Sequence, residues 1–240
     1  MCTVSVITIP GPDGPGVRLV SNRDESRRRP EAGPVERHAL AGGGAAHWPI
    51  DPVGGGTWIA AAEHGLALTV LNGNLEPAPD LSGVDLISRG TLIPRLIEAA
   101  TAQAAMARLD GFELGRFAPF RLVATDASGV VIDAFWDRER LVTTAGRAPA
   151  CFVSSGLGDS VVAPRLPRFD ELVRPDPTAE SQDAFHALVD EHRPEVGVLM
   201  EREDARTVSV SVVEVLPGNG GRLRVSLETA LIAERAWARG

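Results

Sequence analysis

Residues 2–9 read as a strand: Val4, Val6 and Ile9 are β-branched, and no strong helix former interrupts them. The run Pro10-Gly11-Pro12-Asp13-Gly14-Pro15-Gly16 is built of turn residues, and residues 17–20 return as a second strand. Similar pairs follow at 57–62 with 66–71 around His64-Gly65, and at 121–125 with 130–135 around Ala127-Ser128-Gly129. A last pair, 207–215 with 223–227, surrounds the Pro/Gly-rich residues 217–221. Such short connections join antiparallel strands; parallel strands need a longer crossover.

Between the hairpins the apolar period lengthens. Leu92, Leu96, Ala99, Ala100 and Met106 predict a helix within 85–109, despite Pro94 near its start. Residues 180–192 predict a second helix with Ser181 as N-cap, and 161–173 a broken third. Hairpins at both ends with helices between them predict an α+β domain of antiparallel sheets covered by helices. No repeat or linker divides the chain, so residues 1–240 are expected to form a single domain.

Composition narrows the function. A hydrophobic fraction of 44% supports a substantial core, and the formal net charge of −8 gives no support for nucleic-acid or anionic-membrane partners. The one basic cluster, Arg27-Arg28-Arg29, is short and follows Asp24-Glu25, as in a solvated loop. There is no signal-peptide pattern and no apolar run near ~20 residues, so no membrane span and a cytoplasmic location are expected. The 2 cysteines make no disulfide framework, and the 5 scattered histidines show no metal-ligand spacing. Phosphate-loop and dinucleotide fingerprints are absent, so neither metal nor cofactor is expected.

The chemistry concentrates at the start. A small residue at position 2 permits removal of Met1, which would leave Cys2 with a thiol beside a free α-amine. That amine, with an ordinary pKa of about 7.7–8.0, is partly neutral near pH 7 and can take the thiol proton. If Ile9 opposes Val17 across the turn, paired positions sum to 26 and Asp24 lies opposite Cys2. Side chains so paired share a face, with Cβ atoms about 4.5–5.5 Å apart. Asp24 could then orient the amine, while Arg23 could favour the thiolate or hold a substrate carboxylate. As a partly solvated carboxylate, Asp24 is expected to contribute little to stability.

Cys2 followed by Asn22-Arg23-Asp24-Glu25 resembles the signature of the NRDE family, also called the transport and Golgi organisation protein 2 family. Gly55-Gly56-Thr57-Trp58-Ile59, the strand at 66–72, Ser88-Arg89-Gly90 and Arg206-Thr207 are similar to further family segments, in order along residues 1–215. The resemblance implies a relationship to choloylglycine hydrolases and penicillin V acylases. Those are N-terminal-nucleophile amidases with a four-layer αββα sandwich of antiparallel sheets. Residue by residue, it implies Cys2 as nucleophile, Asp24 as the amine-binding carboxylate and Asn72 as an oxyanion donor, with Arg23 beside them. Matched on the asparagine of the related Arg-Asn-x-Asp stretch, the amidases' own arginine falls at Ser21. Asn22, Trp58, Ser155 and Arg206 are expected around the substrate. Ser155 stands where the family carries an asparagine.

Two readings follow. One is an N-terminal cysteine hydrolase or acyltransferase acting on a linear amide or thioester through an acyl-Cys2 intermediate. The other is a non-catalytic carrier of haem or an acyl lipid, a use suggested by the haem trafficking linked to the family's eukaryotic members. The partner is therefore expected to be a small amide or acyl substrate, or a haem-like ligand; the oligomeric state is not readable. A papain-like arrangement is rejected because Cys2 lacks the local context it needs.

Overall fold

Burial is nearly continuous along the first two strands, polar positions such as Thr3, Ser5, Ser21 and Asn22 included, because both of their faces are covered. In the computed structural model, which describes residues 2–218 and 222–232, β1 (Cys2–Gly11) and β2 (Gly14–Ser26) form an antiparallel hairpin. They sit in a sheet of order β10-β1-β2-β11-β12, completed by β10 (Ala150–Ser154), β11 (Ala205–Gly218) and β12 (Arg222–Leu231). A second sheet, β3 through β9 in sequence order, comprises β3 (Val35–Ala39), β4 (Ala45–Pro49), β5 (Ile59–Ala62), β6 (Ala67–Asn72), β7 (Phe120–Thr125), β8 (Val130–Trp136) and β9 (Leu141–Arg147). Every pairing is antiparallel.

The sheets face each other across Val4, Val6, Leu19, Val213 and Val215 from one and Ile59, Ala61, Leu71 and Val123 from the other. Alternation sends Ile7 and Ile9 to the opposite face of the first sheet, against Phe169 of α3 (Arg165–Leu172) and Phe185 of α4 (Ala179–His186). The outer face of the second sheet, with Leu68, Leu122 and Ala134, packs under α1 (Leu92–Leu96) and α2 (Ala102–Ala107). Helices on both outer faces give the expected four αββα layers. Among the described residues, no helix is long and apolar enough to cross a membrane.

Several boundaries differ from the sequence expectation. The helix expected within 85–109 is two short helices, because Thr101 caps a fresh start by accepting from the Ala104 N–H. Pro94 is tolerated in the first turn of α1, where no N–H is needed. The helix expected at 180–192 ends at His186, and its N-cap is Thr178; Ser181 is the third-position partner of that capping box. Strands β3, β4, β9 and β10 went unread: β3, β9 and β10 lie at sheet edges, where apolar alternation is weak, and β4 is a five-residue strand that follows the glycine-rich residues 42–44.

Candidate active site

The β1–β2 turn is two residues, Pro12-Asp13, closed by Gly11 opposite Gly14, so paired positions sum to 25. Cys2 therefore faces Arg23, and the register expected from Ile9 opposite Val17 is off by one. The turn length caused the error, since one residue of slip moves every side chain to the other face. A continuous row of directly opposed residues now crosses the sheet on the Cys2 face: Ser154 of β10, Cys2, Arg23 and Ser209 of β11. The hydroxyls of Ser154 and Ser209 are buried and make no hydrogen bond among the described residues. Here the apolar inner layer ends in a polar patch with the thiol at its middle.

The second sheet supplies the facing wall. Its Gly55-Gly56-Thr57-Trp58 segment crosses Ser88-Arg89-Gly90 backbone to backbone, the Thr57 N–H donating to the Gly90 carbonyl at 3.1 Å. A Cβ on Gly56 would collide with the Gly90 carbonyl group, and one on Gly90 would lie 2.9 Å from the Thr57 oxygen. Only glycine permits this crossing, which fixes both Trp58 and Arg89. The Arg23 guanidinium then stacks 4.5 Å over the Trp58 ring. The Trp58 indole N–H is buried without a partner among the described residues.

The resulting cleft, a cavity of about 180 Å³, is lined by Cys2, Arg23, Asp24 and Glu25 of the first sheet. Trp58, Asn72 and Arg89 close it from the other side. Among the described residues, Asn72 at the end of β6 has no hydrogen bond on its side-chain amide and is open to a ligand. Arg23 is held by Glu25 at 3.3 Å and Asp51 at 3.5 Å, and Asp51 also binds Arg29 at 2.7 Å. Burial opposes the Asp51 charge, but the Val53 and Gly54 N–H groups and the Arg29 guanidinium outweigh it and hold its carboxyl below the usual range.

Burial pushes the Cys2 thiol up, and the Asp24 charge adds to the effect; Arg23 and the backbone N–H of Asp24 pull the other way. Alternation puts the Asp24 side chain on the helix side of its strand. There it accepts a 2.6 Å hydrogen bond from Thr207 and lies 3.5 Å from Arg165, both charges being almost wholly enclosed. Arg165 also donates to Thr3 at 2.7 Å. Asp24 is thus gripped from below while it still lines the cleft beside Cys2.

Asn22 stands elsewhere. Its amide N–H group donates to the carbonyls of His186 and Val198, and its oxygen accepts from His186 Nδ1 at 2.7 Å. His186 Nε2 in turn accepts from Ser5 Oγ at 2.7 Å, giving a Ser-His-Asn chain that is fully buried and, among the described residues, stands apart from the Cys2 cleft. It pins α4 to the sheet. Ser155 also faces away from the row: its backbone N–H donates to Asp159 and its hydroxyl accepts from the Leu157 N–H. The hydroxyl beside Cys2 belongs to Ser154. Arg206 opposes Glu25 in β11 but does not line the cleft, whereas its neighbour Thr207 reaches Asp24. Ser154, Arg165, Thr207 and Arg89 were not among the expected site residues; Ser154, Thr207 and Arg89 lay in recognised segments, Arg165 in none. Among the described residues, no three His, Cys, Asp or Glu side chains gather in a metal-binding group.

Solved structures share this architecture at low identity. A penicillin V acylase from Agrobacterium tumefaciens is 13% identical, with 95% of this chain and 85% of that one covered at a TM-score of 0.52. The N-acylethanolamine-hydrolyzing acid amidase ortholog of Caenorhabditis elegans is 13% identical over 96% of this chain and 100% of that one, at 0.54. Variant R18L of the conjugated bile acid hydrolase of Clostridium perfringens is 11% identical over 95% and 97%, at 0.52. These likenesses establish the N-terminal-nucleophile hydrolase fold. No curated protein sequence matches the chain. The profile of the Transport and Golgi organisation 2 family matches residues 1–162, and the chain belongs to that family.

Proposed function

We propose that the protein is an N-terminal cysteine hydrolase or acyltransferase acting on a linear amide or thioester. The observation that carries this reading is the placement of Cys2: it lines a cleft together with Arg23, Asn72 and Trp58. With Met1 removed, Sγ attacks the substrate carbonyl carbon and its proton passes to the α-amine. The negative charge that forms on the carbonyl oxygen takes hydrogen bonds from the Asn72 amide. As the tetrahedral intermediate collapses, the ammonium returns a proton to the departing amine or thiolate, leaving an acyl thioester on Cys2. Water or a second acceptor then takes the acyl group. Asp24, held by Thr207 and Arg165, serves as the positioning residue for the amine.

The carrier reading draws on the burial that keeps the thiol protonated. A cleft lined chiefly by charged and polar side chains suits it poorly, since carriers present apolar pockets with few polar groups. None of the histidines lines the cleft, so a haem there would have no imidazole ligand. Intact-mass analysis after incubation with an acyl thioester separates the readings. An acyl adduct on the N-terminal peptide, absent from Cys2→Ala, is expected. Reversible binding with neither adduct nor turnover would leave a carrier.

A further inference from the structure

The charges around the cleft pair off with one exception. Arg23 and Arg29 share Glu25 and Asp51, and Arg165 faces Asp24. Arg89 has no carboxylate within ion-pair distance among the described residues, although burial lowers its pKa and so disfavours its charge. Its Nη1 donates to the Pro119 carbonyl at 2.8 Å, which fixes the guanidinium in place. The glycine crossing at Gly56 and Gly90 holds its backbone just as firmly.

Arg89 also stands where two cavities meet. It lines the Cys2 cleft, and it lines a neighbouring groove of about 490 Å³ between residues 73–81 and 156–158. Leu75, Pro79, Leu81 and Leu157 give that groove an apolar surface, and Glu76 at its side is engaged by the Ser160 hydroxyl at 2.9 Å. The Cys2 cleft is small for a whole ligand, since binding sites typically span about 300–1,000 Å³. Together the two cavities could accommodate one. A fixed, unneutralised guanidinium at their junction suits a planar anion, which it can grip with two parallel N–H donors.

We propose that Arg89 anchors a carboxylate of the ligand, whose apolar chain lies along the Leu75–Leu81 and Leu157 groove. This makes the ligand an amphiphile with one carboxylate close to the bond presented to Cys2. The inference rests on the proposed function only in assuming that one ligand spans both cavities. Binding alone tests it, so its failure and a failure of catalysis are distinguishable.

Titration calorimetry on the Cys2→Ala chain would compare N-octanoylglycine with N-octanoylglycinamide, which differ in the carboxylate and not in the acyl chain. The acid should bind at least about tenfold more tightly, as expected for a hydrogen-bonded charge pair. Arg89→Met should abolish that preference, and Arg89→Lys should keep part of it. An unfolding midpoint for each variant would show whether loss of the Pro119 contact has disturbed the fold, and the comparison without any change at Arg89 stands regardless. Equal affinities for the two probes, or no binding of either, would overturn the proposal. So would a preference unchanged in a folded Arg89→Met. Absence of turnover by the wild type would count against the acyl-Cys2 reading and leave the charge preference standing.

Discussion

Cys2 and Cys151 are chemically alike and placed on opposite faces of the same sheet. Burial raises both thiols, but Cys151 packs toward the helices with Ile7 and Phe169, away from the cleft that Cys2 lines. Only Cys2 gains a neighbouring amine when Met1 leaves, so iodoacetamide should label it several-fold faster near neutral pH. Equal rates in the folded protein would defeat the activated-thiol model. Intact mass lower than the full translation by one methionine is expected alongside; retained Met1 would remove the base the reaction needs. Asp24 calls for a revised expectation. Rather than a partly solvated carboxylate, it is an enclosed partner of Arg165, and Asp24→Ala would strand that guanidinium. A cost of about 3 kcal/mol is expected, read from urea unfolding. Asp24→Asn keeps an acceptor for Thr207 and should cost less; equal loss in both variants would place the effect in the charge alone.

At the scale of elements, the crossing of the 55–58 and 88–90 segments matters most to the cleft, because one glycine pair positions both Trp58 and Arg89. Gly56→Ala forces a methyl group into the Gly90 carbonyl, and an overpacked contact of this kind costs about 1–3 kcal/mol. Fluorescence of the tryptophans should also shift as Trp58 moves; a variant with wild-type stability and spectrum would show that the crossing relaxes freely. Much of this layer was legible in the chain. Four hairpins were readable from turn residues between β-branched runs, and the segments around Cys2, Thr57, Arg89 and Thr207 were recognisable as motifs. What escaped was register and direction. Whether Arg23 or Asp24 faces the thiol depends on whether Pro12-Asp13 alone forms the turn, and a seven-residue Pro/Gly run does not reveal that. Ser154 was missed beside Ser155 for the same reason: β10 is an edge strand, and its phase is set by pairing with β1 across a long stretch of chain.

For the whole molecule, attachment of the outer helices to the first sheet depends on a polar chain as well as on apolar packing. Ser5, His186 and Asn22 are fully enclosed, and Gln182 donates to Ser5 Oγ at 2.7 Å. The donors run one way: Asn22 Oδ1 accepts from Nδ1–H, and Nε2 accepts the Ser5 hydroxyl, which requires a neutral imidazole. Burial, with the nearby charges of Arg18 and Arg165, pushes the His186 pKa down to about 3 from an ordinary 6.5. The unfolded chain therefore binds this proton first on acidification. The stabilisation is complete above pH ~6.5 and declines as pH falls toward ~3, by at most about 1.4 kcal/mol per pH unit. Most carboxylates are still ionised at pH 5, so urea midpoints at pH 7 and pH 5 isolate much of the histidine contribution. The wild type should lose stability over that interval. His186→Gln, which cannot take the proton, should start less stable and show a flatter dependence, while the same slope in both proteins would mean that His186 does not set it.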